Sequence, residues 1–305
     1  MAAPHFRKEA NVAIHYPDIL TESSPPRRFS YTDKDAILYA LSIGFGSDPL
    51  DERELAFVYE QDLKIVPTAG AVLAWAQTGA RADDLEPAEG HCKSVLHLPT
   101  TVHGEQRLEL HRPLPAQGEF TVRETIDAVY DKGAGRGALV VRTARWIDEE
   151  GEPVVTSSCT MFARSDGGFG GPANGMPAPH AIPDRAPDRT VMLPTRPDQA
   201  LLYRLNGDRN PLHAHPAAAR AGGFPRPILH GLCTYGMTCR AVLQTFAGYD
   251  PVRIASHQAR FTAPVFPGET LAVDLWQDGP HISFTARVIE RDVIAIGNGL
   301  SVLRV

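Results

Sequence analysis

The stretch that decides the fold runs from Tyr203 to Gly236 and reads YRLNGDRNPLHAHPAAARAGGFPRPILHGLCTYG. Its first part, Asn206–Pro211, is so dense in turn-forming residues that neither a helix nor a strand can continue through it. Further on, apolar residues recur at helical spacing and predict a long, mostly buried helix that begins at Gly231 and stops near Gly248. A polar bend and the start of a buried helix therefore belong to one short segment.

The bend carries Asp208 and His213, five residues apart. A carboxylate and an imidazole held a few ångströms apart can share one water, one group taking its proton while the other donates elsewhere. This is the chemistry of hydration and dehydration. The alternative interpretation is an ordinary turn, in which Asp208 only caps the bend and His213 packs against it.

The segment between the bend and the long helix predicts a short helix, with His215 as its cap and Pro216 at its first position. The long helix then starts with backbone N–H groups that have no partner within the helix, and Gly231 has no side chain to block a ligand. A thioester oxygen that becomes enolate-like could be held there. The alternative interpretation is that position 231 is a glycine only because the backbone there leaves no space for a side chain.

Two cofactor interpretations are disfavoured. Asp208, His213 and His215 have the residue types of a metal site, but histidines two apart face the same way only on a strand, and prolines bracket them. The glycines of Gly133–Gly137 are not followed by a helix, so they predict a hairpin turn rather than a dinucleotide loop. The sequence therefore predicts neither a metal nor a cofactor.

The organisation of the chain repeats. Residues 166–190 are rich in Gly and Pro and predict a linker between an N-terminal part, 1–165, and a C-terminal part, 191–305. Gln258–Val265 precedes Gly268-Glu269 as Gln106–Pro113 precedes Gly118-Glu119. Tight turns between successive strands require antiparallel pairing, so we expect an α+β fold in which each repeat wraps an antiparallel sheet around a buried helix.

In the first part, Thr32 and Asp35 predict a helix start, and small and apolar residues predict a buried helix over Pro67–Gly79. Short strands are predicted at Phe57–Glu60, Leu108–Leu110, Phe120–Asp127, Leu139–Ile147 and Val154–Ala163.

Composition limits the classes of partner. The chain has 305 residues, of which 43% are hydrophobic, and a net charge of -6. An acidic balance gives no electrostatic case for nucleic acid or a membrane surface. The N-terminus shows neither a signal peptide nor a membrane-spanning run, and the end at Leu303–Val305 is not a peroxisomal address of the S-K-L type, so a cytoplasmic protein is expected.

Several longer motifs carry a resemblance to a known family. They are YRLNGDRNPLH from Tyr203, PILHGL from Pro227, ARFTAPVFPG from Ala259, HGEQRLELHRP from His103 and DKG from Asp131. Together they resemble the MaoC-like hydratase 2 family of (R)-specific enoyl-CoA hydratases, which includes the hydratase part of peroxisomal multifunctional enzyme type 2. The likeness extends from about Tyr31 to the end of the chain.

The resemblance implies a double hot-dog fold, a homodimer and the reversible hydration of a trans-2-enoyl-CoA to the (R)-3-hydroxyacyl-CoA, with an acyl-CoA thioester as the partner and no cofactor. It implies catalytic roles for Asp208, His213, Asn210, Gly231 and Glu60, and substrate-binding roles for His103, Gly104, Lys132 and Phe261. Two alternatives stay open: a 3-hydroxyacyl-thioester dehydratase acting on acyl carrier protein, and a non-catalytic acyl-CoA-binding subunit.

Overall fold

The structure is a computed structural model that describes residues 14–21, 25–76 and 101–304. Ten antiparallel strands form one sheet in the order β1-β3-β4-β5-β2-β7-β10-β9-β8-β6. The strands are β1 Arg27–Tyr31, β2 Thr101–Leu110, β3 Gly118–Asp131, β4 Ala138–Ile147, β5 Pro153–Ala163, β6 Arg189–Pro194, β7 Ile254–Phe261, β8 Thr270–Asp278, β9 His281–Val288 and β10 Val293–Leu303.

The two halves of the chain meet in the middle of this sheet. Strand β2 pairs with β7 from Glu105 opposite Arg260 to Glu109 opposite Ser256. The strands before the Gly/Pro-rich segment lie on one side of that pair, and those after it lie on the other. The expected α+β class is confirmed, but the two sheets are joined edge to edge into one because β2 and β7 satisfy each other's backbone groups.

The helices are α1 Asp33–Ser42, α2 Glu52–Leu55, α3 Leu73–Ala76, α4 Gln199–Tyr203, α5 Pro216–Ala221 and α6 Gly231–Thr245. Short 3-10 turns occur at Asp18–Thr21, Pro67–Ala71, Arg204–Asn206, Pro211–His213 and Pro251–Arg253. Within the described ranges, no helix combines the length and the apolar character needed to cross a membrane.

Helix α6 is the central helix of the second half, as the sequence predicts. It is buried continuously from Leu232 to Leu243 and packs against β6 to β10. Tyr235 fixes its position on the sheet by donating a hydrogen bond from its hydroxyl to the carbonyl of His257 in β7, at 2.6 Å. The sheet therefore holds the start of α6 in place.

The first half departs from the prediction at two points. The expected helix over Pro67–Gly79 is a 3-10 turn, Pro67–Ala71, followed by the short α3, and residues 77–79 lie outside the described residues. The strand predicted at Phe57–Glu60 is wrong. The N–H of Phe57 bonds back to the carbonyl of Glu54, and that of Val58 to the carbonyl of Leu55, so the chain turns after α2.

The other local predictions hold. Thr32 and Asp35 form a capping box at the start of α1. The glycines of Gly133–Gly137 turn the chain between β3 and β4, where Asp131 pairs with Ala138.

The Gly/Pro-rich segment forms neither helix nor strand between Ala163 and Arg189. It is attached to both halves of the protein. The Asp131 carboxylate accepts N–H groups from Gly168 and Gly170 at 2.7 and 2.8 Å. Near the other end, Asn298 donates to the carbonyl of His180, and the Trp276 indole donates to the carbonyl of Arg185. The division into parts at 165 and 191 stays a prediction.

Candidate active site

The bend predicted around Asp208 consists of two successive side-chain turns. Gly207, with φ of 111°, ends the 3-10 turn before it, a backbone conformation that glycine adopts without strain. Asp208 then accepts the N–H of Asn210 through Oδ1 at 3.1 Å, and Asn210 accepts the N–H of Leu212 at 3.0 Å. Asp208 therefore caps the bend with one oxygen while its other oxygen, Oδ2, is directed toward His213.

His213 is held from the opposite side. Its Nδ1 donates to the carbonyl of Ile228 at 2.8 Å, which leaves the lone pair of the neutral ring on Nε2. Nε2 lies 4.0 Å from Asp208 Oδ2. That distance is too long for a direct hydrogen bond but suits one bridging water. Burial lowers the pKa of His213, against the opposing influence of Asp208, so the ring is a neutral base near pH 7.

His230, to which the sequence interpretation gave no role, completes this cluster. Its ring stacks on that of His213 with centroids 3.7 Å apart, and its Nε2 donates to the main-chain carbonyl of Asp208 at 3.2 Å. Burial, with a smaller contribution from His213, lowers the pKa of His230 to about 2. The only signal in the sequence was its place directly before Gly231.

Gly231 is the first residue of α6, and no side chain caps that helix. A β-carbon at Gly231 would lie 3.3 Å from the ring of Phe261, at the end of β7. The aromatic ring therefore packs closely over the helix start, and a side chain at this position would require the ring to shift. Backbone N–H groups at this end of a helix favour negative charge.

The first half contributes His103 and Gly104 from β2. The pairing of β2 with β5 shifts register between His103 and Glu105, which turns His103 toward the second half. Its ring meets that of Phe261 edge-on at 5.0 Å. Desolvation lowers the pKa of His103 to about 4, with Asp208 acting in the opposite direction. A β-carbon at Gly104 would lie 3.2 Å from the carbonyl of Thr160, so the backbones approach closely here.

Two expected site residues lie apart from this cluster. Lys132 is in the turn between β3 and β4, where its Nζ donates to the carbonyl of Ala173 at 2.9 Å. Glu60 lies in an exposed bend after α2. No hydrogen bond among the described residues joins either of them to the Asp208 bend.

The cluster of Asp208, His213 and His230 also has the composition of a metal site, and its potential donor atoms lie within 4.8 Å of one another. His213 Nδ1 and His230 Nε2 donate to the carbonyls of Ile228 and Asp208, an arrangement that metal-binding histidines also show, so the distances between the possible ligand atoms decide. The 4.0 Å between Asp208 and His213 exceeds the roughly 3.4 Å expected between tetrahedral zinc ligands at about 2.1 Å. His215 instead caps α5 by accepting the N–H of Ala217. Acid–base chemistry fits this geometry better than metal binding.

An antiparallel sheet wrapped around a long buried helix defines a hot-dog protein, and in this one a carboxylate and a neutral imidazole lie at the helix start. Comparison with known proteins places the chain further. Residues 29–165 match the MFE-2 hydratase 2 N-terminal domain, and residues 179–298 match the MaoC like domain. The chain belongs to the MaoC-like hydratase 2 family, and its fold is the double hot-dog.

Two relatives come from Mycobacterium tuberculosis. The chain is 38% identical to the enoyl-CoA hydratase ChsH3 over 92% of this chain and 95% of the relative. It is 39% identical to the 3-hydroxyacyl-thioester dehydratase Y over 93% of each. The crystal structure of a MaoC-like dehydratase from Phytophthora capsici, 33% identical, superposes with a TM-score of 0.84 over 95% of this chain and 99% of that one.

Proposed function

We propose that this protein catalyses the reversible hydration of a trans-2-enoyl-CoA to the (R)-3-hydroxyacyl-CoA, using water and no cofactor. The observation that carries the proposal is the gap of 4.0 Å between His213 Nε2 and Asp208 Oδ2. A water in that gap can donate one hydrogen bond to each of two acceptors, which aligns its oxygen lone pairs away from them. The family relationship supports the substrate class, since a relative along nearly the whole chain is named an enoyl-CoA hydratase.

The chemistry adds the water across the double bond. As the water oxygen bonds to C3, one proton of the water passes to the Asp208 and His213 pair, and the pair gives a proton to C2, which returns it to its starting protonation state. Negative charge develops meanwhile on the thioester oxygen. The N–H of Gly231, at the positive end of α6, is the donor placed to stabilise that oxygen. Asn210 keeps the bend in shape through its bond to Leu212.

Residues of both halves frame the substrate in this proposal. His103, Gly104 and Phe261 line the approach to the α6 start. Lys132 lies on the turn at the same end of the sheet, because β4 pairs there with the end of β5 and β5 with the beginning of β2. It is positioned to meet a CoA phosphate as a point charge. The role of Glu60 rests on the family resemblance.

The experiment is a hydration assay that follows loss of the enoyl-thioester ultraviolet absorbance across a chain-length series, with chiral analysis of the product. We expect turnover and an (R)-3-hydroxyacyl product. Absence of hydration with every chain length, or an (S) product, would contradict the proposal. Asp208→Asn protein purified in parallel controls for a contaminating hydratase.

The second candidate is dehydration of a 3-hydroxyacyl thioester, which the similarity to a protein of that name supports. It is the reverse reaction on the same residues. The two differ in carrier and physiological direction, so substrates on CoA and on acyl carrier protein should be compared at equal concentration. A preference of more than about tenfold for either carrier would decide between them.

We further propose that the protein is a cytoplasmic homodimer. Strands β1 and β6 end the sheet, and a sheet edge is usually covered by other structure. Sedimentation velocity at micromolar concentration should give the mass of two chains of 33.2 kDa. A single monomeric species would contradict the dimer, and fractionation of cells would test the location.

A further inference from the structure

We infer that His230 is a positioning residue that keeps Asp208 and His213 at the separation one water requires. The inference rests on the proposed function, because it assigns the ring a part in the same site. His230 contacts neither the proposed water nor the thioester in this assignment. It acts through the two side chains that do.

His230 is connected to several parts of the site. His230 touches three parts of the site: it donates to the Asp208 carbonyl, stacks on the His213 ring and directly precedes Gly231. The same short segment holds His213 from a second direction, since Ile228 accepts its Nδ1 proton. Leu229 anchors the segment by donating its N–H to the carbonyl of Val265 at 2.7 Å. A change at His230 would therefore reach the carboxylate, the imidazole and the helix start together.

The side chain of His230 is also held rigidly. Only 1% of the His230 residue surface is exposed. Its ring stacks on that of His213, at 3.7 Å between centroids, and contacts the tilted ring of Tyr203 at 4.8 Å. A buried ring packed against two others and bonded at one edge has little freedom to reorient. That is the property needed of a group that sets the position of others.

The proton of His230 lies on one defined ring nitrogen. A carbonyl can only accept, so the bond to Asp208 places the proton on Nε2 of His230. Its Nδ1 is buried and has no hydrogen-bond partner among the described residues. Protonation there would create a buried, unpaired N–H beside His213, so the ring stays neutral. Because it is neutral, His213 can take up a proton during turnover without a charged ring stacked against it.

The groups that determine the charge of His213 come from three directions. Asp208, in the segment before it, favours the protonated ring, and His103 on β2 lies close enough to Asp208 to interact with it electrostatically. Arg204 acts on the neighbouring His230, where it favours the neutral ring. His230 and the ring of Tyr203 enclose the remaining side. Of these, only His230 shields the face of the His213 ring by stacking on it.

Two substitutions separate the contributions of His230. His230→Phe keeps a stacked ring and the burial of His213 but loses the donor to Asp208. His230→Ala loses both. We expect kcat of His230→Phe to fall roughly tenfold to a hundredfold, as misplacement by about 1 Å does, with KM within a few-fold. The acid limb of its pH profile of kcat/KM should lie at the same pH as in the wild-type protein.

In His230→Ala, water reaches His213 and relieves its desolvation, so the acid limb should shift to higher pH in addition to the loss of kcat. His281→Gln, at an exposed histidine on β9, is the matched control and should change neither quantity. Circular dichroism and thermal unfolding should show that each variant is folded. If His230→Ala does not fold, His230→Phe alone decides, because a folded His230→Phe protein with wild-type kcat would overturn the inference.

A second readout does not depend on activity. In protein labelled with ¹⁵N at histidine, NMR titration should show His213 with its proton on Nδ1 and with a pKa that rises in His230→Ala but not in His230→Phe. If the wild-type protein hydrates no enoyl-CoA while these titrations behave as stated, the proposed function fails and the positioning role stands. If the His213 titration is the same in all three proteins, the positioning role fails.

Discussion

The two halves of this protein form one sheet, but they differ in their central helices and in what they contribute to the candidate site. In the second half, α6 runs for 15 residues and follows a polar bend. In the first half, the corresponding buried segment is a five-residue 3-10 turn and, in the described residues, a helix of only four. The described first half supplies His103 and Gly104 to the site but has no counterpart of the Asp208 bend. In the proposed function, the second half therefore carries the chemistry and the first half helps to frame the ligand.

The largest effect is expected from Asp208→Asn in the second half. Asparagine keeps the cap on Asn210 but cannot exchange a proton, so kcat should fall about 10²–10⁴-fold. Steady-state hydration kinetics measure it. The matched control lies in the first half: Asp51→Asn, where the carboxylate likewise accepts an N–H two residues on, at 3.0 Å, should keep normal turnover. Near-normal activity of a folded Asp208→Asn protein would reduce Asp208 to a turn residue.

His213→Ala should lose a similar factor, and the double variant should be no worse than about the poorer single one, because both groups act on one water. Losses that multiply would instead show that the two side chains serve separate steps.

Gly231→Ala can be compared with a matched variant, because the first half contains a glycine in equally tight surroundings. A β-carbon at Gly231 meets the Phe261 ring at 3.3 Å, and one at Gly70 meets Leu108 and Val155 at 3.3 Å. Gly231→Ala should lower kcat roughly tenfold to a hundredfold by displacing the helix start. Gly70→Ala should lower thermal stability with kcat intact. An equal loss of kcat in the two variants would contradict the proposal that the second half carries the chemistry.

Low pH should lower the free energy of unfolding through a histidine in the core of the second half. His257 is fully buried in β7, and burial lowers its pKa to about 3, against about 6.5 in the unfolded chain. Between those values the unfolded chain binds a proton that the folded chain does not, so His257 contributes a fall in stability of about 1.4 kcal/mol per pH unit as the pH drops from about 6.5 toward about 3. The buried His103 and His230 add to the same slope. Urea unfolding at pH 7.5, 6 and 5 measures this slope.

For that measurement, the exposed His281→Gln variant should reproduce the wild-type slope. A folded His257→Gln protein should show a shallower one, and an unchanged slope in it would contradict the assignment to His257.

The smallest effect is expected at Lys132 in the first half. Lys132→Met should raise KM for enoyl-CoA roughly twofold to fivefold, since exposed charge pairs contribute at most about 1 kcal/mol. A pantetheine thioester, which lacks the nucleotide phosphates of CoA, should show no change. Lys34→Met, at an exposed lysine of α1, is the control. A rise in KM for both substrates would place the effect of Lys132 elsewhere than on the phosphates.

Local chemistry explains which features were predictable from the sequence. The bend, the α6 start, the cap by His215 and the hairpin at Gly133–Gly137 follow from turn formers, glycines and apolar spacing, which act over a few residues. His230 could not be assigned, because its role depends on rings and carbonyls that come from Tyr203, Asp208 and His213 by folding. The length of the helix after Pro67 was overpredicted because the apolar composition of this segment suits a helix and a tight turn equally.

The same limit applies between the halves. Nothing in the spacing of β2 or β7 announces that they pair with each other, since either could have ended its own sheet. The position of His103 beside Phe261 follows from that pairing and from the register shift next to Gly104. Long-range pairing therefore decides which first-half residues reach the site.

The central pairing of β2 with β7 also affects how the chain emerges during synthesis. When the ribosome has made residues up to Ala163, β1 to β5 can pair with one another. The other edge of β2 has no partner until β7 is made, more than ninety residues later. A nascent first half thus presents a ten-residue strand with unpaired backbone groups, a template for association with other chains. Truncation after the first half should yield an aggregating fragment, whereas co-expression of the two halves should restore a soluble sheet.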